Sequence, residues 1–268
     1  MRQGIGPTDG SIFKILSYLH SFHAGNLADL HKHAALARLL VHMTAKPRAI
    51  SYLESHAGRG LYDLSGPEAE KTAEAAEGIL AQADEADGTS LPAPYAAAVA
   101  AVRARYGPNF YPGSPWIARH ILRDQDVLHL MELHPAEFPA LKRNLRADNV
   151  HCHRRDGLEG LLALSPPTPR RGLVLIDPSY EVKDDYARVA ATVAALYRKW
   201  PQAVTLIWYP ILRDGRHETM VDRILAADPP DPVRDEVSFP DPENRRGMTG
   251  SGLLLIGCPF GFRLNEAE

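Results

Sequence analysis

Short apolar runs alternate along this chain with stretches of helical spacing, and that alternation leaves few folds open to it. The runs read as strands at 49–53, 127–131, around Val150, at 173–176, 204–208, around Val237 and at 253–257. Several of the intervening segments are amphipathic helices, as where Tyr186, Val189, Val193 and Leu196 fall on one helical face. Strands connected through helices pair in parallel by crossovers, so the pattern predicts an α/β fold with a mostly parallel, doubly wound sheet and helices on both faces. Ligands of such sheets bind beyond the carboxyl ends of the strands. The site is therefore expected among Glu54 to Gly60, Glu132 to Pro135, Asp156-Gly157 and Asp177 to Tyr180, before any motif is considered.

A length of 268 residues suits one core carrying an insertion better than two independent domains. Residues 1–15 read as a loose leader and 16–268 as one domain. Between Glu68 and Arg105 the composition shifts to Ala and Glu at helical spacing, interrupted by Gly88, Pro92 and Pro94, which predicts an inserted helical subdomain over about 62–112. Ahead of the first strand, Asn26 is placed to cap a helix with Asp29 three residues on. Leu27, Leu30, Ala34, Ala37 and Val41 share a face of that helix, and Pro47 closes it.

Hydrophobic content of 45% and charged content of 24% are those of a soluble globular protein, and no apolar run nears the roughly 20 residues a membrane span needs. The N-terminal stretch lacks a signal-peptide core, and two cysteines, Cys152 and Cys258, form no disulfide framework; a cytoplasmic location, reduced thiols and no membrane partner are expected. A net charge of −3 confines any nucleic-acid surface to local basic groups: Lys142, Arg143 and Arg146, Arg154-Arg155, Arg170-Arg171, or Arg245-Arg246.

The glycines of Glu54-Ser55-His56-Ala57-Gly58-Arg59-Gly60 let a ligand approach the backbone, but the spacing is not G-x-G-x-x-G, which weighs against a nicotinamide or flavin enzyme. Glu132, at the next strand end, is placed to accept from ribose hydroxyls, although Pro135 equally marks it as the neighbour of a helix start. Asp156-Gly157 repeats the pattern, with Asp156 able to accept from an adenine amine. Asp177-Pro178-Ser179-Tyr180 is the sharpest signal. An adenine amine is a poor nucleophile because its lone pair is delocalised into the ring. The Asp177 carboxylate and a backbone carbonyl at Asp177 or Pro178 can hold its two N–H groups and free that pair, with Tyr180 stacking on the extruded base. The histidines His20, His23, His31 and His33, and His151-Cys152-His153, lack the ligand spacing of a zinc site, so no metal is expected. No Gly-x-Ser-x-Gly elbow suggests a hydrolase.

Taken together, Ser17-Tyr18, His20-Ser21-Phe22-His23-Ala24-Gly25-Asn26, Lys32-His33, His56-Ala57-Gly58, Tyr111-Pro112-Gly113-Ser114-Pro115, Glu132-Leu133-His134-Pro135, Asp156-Gly157, Asp177-Pro178, Arg245-Arg246-Gly247-Met248-Thr249 and Ser251-Gly252 resemble the RlmJ-type family. Its members are bacterial adenine-N6 methyltransferases of large-subunit ribosomal RNA; homologues have also been labelled as proteins for use of external DNA, a name these residues do not support. The resemblance spans about Leu16 to Pro259, in family order. It implies a Rossmann-like S-adenosylmethionine methyltransferase fold and a protein-free or early-assembly form of 23S ribosomal RNA as substrate, with the chain acting as a monomer.

It implies further that His33, His56, Gly58, Ser114, Glu132, Asp156, Gly157 and Asp177 contact the cofactor. By the same resemblance Asp177, Pro178 and Tyr180 form the catalytic motif, while Tyr18, with Arg245 and Arg246, lies at the RNA. Ser179 stands where the family has a second proline, which restores an N–H and frees φ; activity is expected to survive. DNA adenine methylation, or nucleic-acid binding without catalysis, are the competing readings, since the acceptor motif cannot sense a 2′-hydroxyl.

Overall fold

A computed structural model describes residues 23–66, 75, 78–80, 91–240 and 247–264. The elements run α1 (Leu27–Thr44), β1 (Ser51–Glu54), β2 (Leu61–Asp63), α2 (Ala93–Tyr106), β3 (Phe110–Pro112), α3 (Ser114–Ile121), β4 (Val127–Met131), α4 (Glu137–Asn144), β5 (Val150–His153), α5 (Gly157–Leu164), β6 (Gly172–Ile176), α6 (Asp184–Lys199), β7 (Val204–Leu212), α7 (Arg216–Leu225), β8 (Val233–Ser238) and β9 (Met248–Ile256). No helix among the described residues is long and apolar enough to cross a membrane.

Seven strands form one sheet in the order β5-β4-β1-β6-β7-β9-β8. The first five pair in parallel, and β9 lies antiparallel to both of its neighbours. The fold is thus the doubly wound, Rossmann-like one. The central strands β1 and β6 are buried along their whole length, as strands covered on both faces must be. Alternation divides them: Tyr52, Leu173 and Leu175 pack with Leu36, Leu39, Leu40 and Met43 of α1. Leu53, Val174 and Ile176 face Val189, Val193 and Leu196 of α6 on the other side. Each fully buried leucine of this kind contributes roughly 1.5–3 kcal/mol.

Asn26 caps α1 as expected, its side chain accepting the Asp29 N–H. The buried face of α1 differs from the expected one, however: Val41 is exposed, and Leu36, Leu39, Leu40 and Met43 face the sheet. Leu30 and Ala34, with Ala37, instead pack on a third cluster formed with Tyr95, Ala98 and Val99 of α2. The helix is sandwiched between sheet and insertion, so apolar residues occupy two of its faces and no single stripe marks the core. The inserted segment leaves the sheet through β2 and returns through β3, which pair antiparallel. Most of the Ala- and Glu-rich stretch before α2, and the leader, lie outside the described residues.

Candidate active site

The carboxyl ends of β1, β4, β5 and β6 open onto a cavity of about 350 Å³, closed on one side by the first turns of α1 and on another by β7. That volume suits a small-molecule ligand. Among its lining residues are His33, His56, Gly58, Ser114, Glu132, Asp156, Gly157, Asp177 and Pro178, so the structure brings together nearly all the residues singled out in the sequence. Tyr18, Arg245 and Arg246 lie outside the described residues.

Asp177 follows the last residue of β6, where its backbone N–H donates to Ser55 Oγ at 3.2 Å. Its Oδ2 accepts from Lys32 Nζ at 2.6 Å, and the same ammonium lies 2.9 Å from Asp29 Oδ1. Burial alone would lower the Lys32 pKa, but the two carboxylates outweigh it and raise it above the ordinary lysine value. Lys32 is therefore a fixed cation that orients Asp177. The spacing of α1 delivers it, since Asp29, Lys32 and His33 stand one turn apart on the part of the helix that faces the carboxyl end of β6.

Beneath Asp177, the buried carboxyl of Glu54 accepts from the hydroxyls of Ser114 and Tyr52. Burial pushes its pKa up to about 8, against those two hydrogen bonds. Ser114 is thus committed to Glu54. His33 is likewise in the wall, 1% exposed, with Nδ1 bound to the Tyr111 hydroxyl at 2.6 Å. Burial lowers the His56 pKa, which Asp177 and Asp156 only partly offset, and its Nδ1 meets Ser55 Oγ at 2.8 Å.

Glu132 accepts the Gly58 N–H on Oε2 at 2.8 Å and the His134 N–H on Oε1 at 2.7 Å. Burial raises its pKa despite both donors. These bonds tie the β1 and β4 loops together and leave each oxygen a further lone pair. Asp156 is more committed: Oδ1 caps α5 through the Glu159 N–H at 3.0 Å and Oδ2 pairs with Arg188 at 2.8 Å. Burial would raise its pKa, but Arg188 and the Glu159 N–H bring it below the usual carboxylate range. The helix cap and the ion pair fix the carboxylate at the cavity wall, and each oxygen keeps a further lone pair toward the cavity. The glycines serve close packing: a Cβ on Gly58, at φ +57°, would come 2.3 Å from the Tyr62 hydroxyl, and one on Gly157 would sit 1.8 Å from the Ser55 carbonyl oxygen.

Tyr180 is the clearest correction. Its backbone is left-handed, φ 55°, and this turns the ring away from the cavity into the core, where it is 4% exposed. The hydroxyl donates to the Trp208 carbonyl at 2.8 Å and the ring packs 4.6 Å from that of Tyr186. Tyr180 therefore supports the wall instead of stacking on a base. Among the described residues Trp208 on β7 and Tyr62 on β2 line the cavity, and Trp208 lies on the Asp177 side, with Lys32 Nζ 5.7 Å from its ring centre. In sequence Lys32 belongs to the Lys32-His33 pair of the motif set, and the apolar run 204–208 ends on Trp208, whereas in the structure β7 continues to Leu212 and carries Trp208 mid-strand at the cavity.

The histidines disperse. His31 turns to Asp235 and Ser251, while His33 turns to Tyr111. On β5 and β4, His153 Nε2 meets His129 Nδ1 at 3.2 Å. Among the described residues His217, Glu218 and Glu236 approach metal-ligand distances, but Arg234 already binds both of those carboxylates.

A family model described as "Ribosomal RNA large subunit methyltransferase D, RlmJ" matches residues 47–267. Ribosomal RNA large subunit methyltransferase J of Escherichia coli (strain K12) is 38% identical over 250 residues, 92% of this chain and 88% of its own length. The protein of the same name from Haemophilus influenzae (strain Rd) is 39% identical over 251 residues, with the same coverage of 92% and 88%. A crystal structure of a Legionella pneumophila (str. Philadelphia 1) protein superimposes with a TM-score of 0.82 at 38% identity, covering 90% of this chain and 88% of that one.

Proposed function

Because the chain belongs to the RlmJ family of ribosomal RNA large subunit methyltransferases, we propose that it methylates the exocyclic N6 amine of an adenine in large-subunit ribosomal RNA, using S-adenosylmethionine. The observation that carries the acceptor chemistry is Asp177 at the end of β6, held by Lys32 at the cavity wall. The lining also fits the cofactor's charge. Asp29, Glu132, Glu137, Asp156, Asp177 and Asp185 outnumber Lys32 and Arg188, an environment that favours a cation over a phosphate-bearing dinucleotide.

When bound, S-adenosylmethionine supplies a methyl group on an electrophilic sulfonium centre. Glu132 would hold the ribose hydroxyls through the lone pairs that the Gly58 and His134 N–H groups leave, and the glycine of the Ser55 to Gly58 loop would let the cofactor approach the backbone. Lys32 takes Asp177 Oδ2 and leaves Oδ1 for one N–H of the adenine amine. A carbonyl at Asp177 or Pro178 would take the other and free the nitrogen lone pair for attack; the cofactor would leave as the neutral thioether and the methylated amine would shed one proton, with the Asp177 carboxylate beside it as acceptor. Trp208 supplies the flat face on which the extruded base lies, a contact worth about 1–3 kcal/mol by substitution in other nucleic-acid sites. Positioning the two reacting atoms is the main catalytic task.

The substrate is protein-free or early-assembly RNA, Tyr18, Arg245 and Arg246 contribute to its binding, and the enzyme acts as a cytoplasmic monomer. The test is transfer of labelled methyl groups to protein-free large-subunit RNA, followed by nucleoside analysis. Label in N6-methyladenosine supports the reading; greater transfer to duplex DNA, or label on another base, overturns it.

A further inference from the structure

Trp208 is held at both ends. Its carbonyl accepts from Tyr180, and its indole Nε1–H donates to Ser251 Oγ on β9 at 2.9 Å. Ser251 is fully buried, and its hydroxyl lies 2.9 Å from His31 Nδ1 on α1. The other ring nitrogen, Nε2, lies 3.0 Å from Asp235 Oδ2 on β8. The indole N–H can only donate, so Ser251 Oγ accepts from it. The hydroxyl proton is then available to His31 Nδ1, and the remaining imidazole N–H points at the Asp235 carboxylate. Every donor in the chain meets an acceptor, and the direction runs from the cavity to the surface.

Nothing in the cofactor's chemistry requires these residues. Ser251, His31 and Asp235 stand behind the tryptophan, and only Trp208 reaches the cavity. They tie β8 and β9 to α1 and β7, which carry Lys32 and Trp208 respectively. The geometry points to Ser251, His31 and Asp235 as a positioning relay that fixes the Trp208 indole as the platform for the target base. The relay sets base placement and therefore acts on substrate, not on cofactor binding; this role rests on the reading of the cavity as an adenine-acceptor site. Two properties follow. Breaking any link lets the indole rotate about its side-chain torsions, and the loss depends on the indole N–H being present.

The experiment is a double-mutant cycle between Ser251→Ala or His31→Gln and Trp208→Phe, which keeps a ring but has no N–H to donate. In the wild-type background each single relay variant is expected to raise KM for RNA about 3–10-fold, with S-adenosylmethionine affinity by calorimetry unchanged. In the Trp208→Phe background the same changes should have less than a twofold further effect. Equal effects in both backgrounds overturn the relay, as does a matching loss of cofactor affinity.

A second readout separates failure of the relay from failure of the base-platform reading. The indole N–H proton resonance of Trp208, assigned by its disappearance in Trp208→Phe, should move and exchange faster with water in His31→Gln and in Asp235→Asn. An unmoved resonance overturns the relay whatever the activity. A moved resonance with unchanged KM and kcat supports the hydrogen-bonded chain but overturns the role assigned to it in base placement.

Discussion

Lys32 Nζ stands 2.6 Å from Asp177 and 2.9 Å from Asp29, across a gap of 145 residues in sequence to the first of these. Lys32 and Asp29 are almost wholly buried. Removing the cation while leaving two carboxylates behind is the costly way to break such a group, so Lys32→Ala should destabilise the fold by about 3–5 kcal/mol. The raised Lys32 pKa places the loss of this stabilisation above the ordinary lysine range, so it should be flat through neutral pH. Denaturant unfolding between pH 6 and 9 checks both statements.

Trp208 and Tyr180 should separate cleanly. Trp208→Ala removes the aromatic face beside Asp177 and should lower kcat/KM for RNA by about 10–100-fold with cofactor affinity retained. Tyr180→Phe keeps the buried ring and loses one hydrogen bond, a stability cost of about 1 kcal/mol with a smaller kinetic effect. Single-turnover methylation with each variant distinguishes them; a larger kinetic loss in Tyr180→Phe than in Trp208→Ala would contradict the base-contact role given to Trp208.

The raised Glu54 pKa gives the protein a pH signature. The unfolded chain ionises this carboxyl near the ordinary glutamate value of 4.5, and the folded chain not until about 8. The native state therefore holds an extra proton between these values, and stability falls as pH rises from 4.5 toward 8 and then levels. Glu54→Gln, which retains a carbonyl acceptor and cannot ionise, should lose that slope, worth on the order of 2–4 kcal/mol. Urea unfolding of both forms at pH 5 and pH 8 measures the difference.

Gly157 is required by packing against backbone. A Cβ there would lie 1.8 Å from the Ser55 carbonyl oxygen, which cannot give as a side-chain tip would. Gly157→Ala should push α5 away from the β1 loop, lowering thermal stability and weakening cofactor affinity together. Calorimetry with the variant checks this; unchanged cofactor affinity would show that the loop tolerates the shift.

The central strands were legible because a parallel strand buried on both faces must be apolar throughout, as Leu173 to Ile176 are. The three-residue strands β2 and β3 carry too short a pattern to announce themselves. The face of α1 was misread because Leu30 and Ala34 serve the insertion while Leu36 and Leu40 serve the sheet. In the site, carboxylates after strand ends could be located from topology alone, but their commitments could not. Asp156 gives no sign in sequence that it caps α5 and pairs with Arg188, which is 32 residues away. Tyr180 matches the motif in sequence, and only its burial against Tyr186 shows the ring to be part of the core.

The central claim is that Asp177 accepts from the amine that receives the methyl group. Its most direct test is the chemical step itself, measured as single-turnover methyl transfer to protein-free large-subunit RNA by wild type and Asp177→Asn, with cofactor binding verified by calorimetry. Asparagine keeps the shape and one acceptor oxygen but loses the charge. The expected result is a fall in the rate of transfer by at least about 100-fold with cofactor still bound, and the label in wild-type product found on adenine N6. Equal rates for the two proteins would contradict the account.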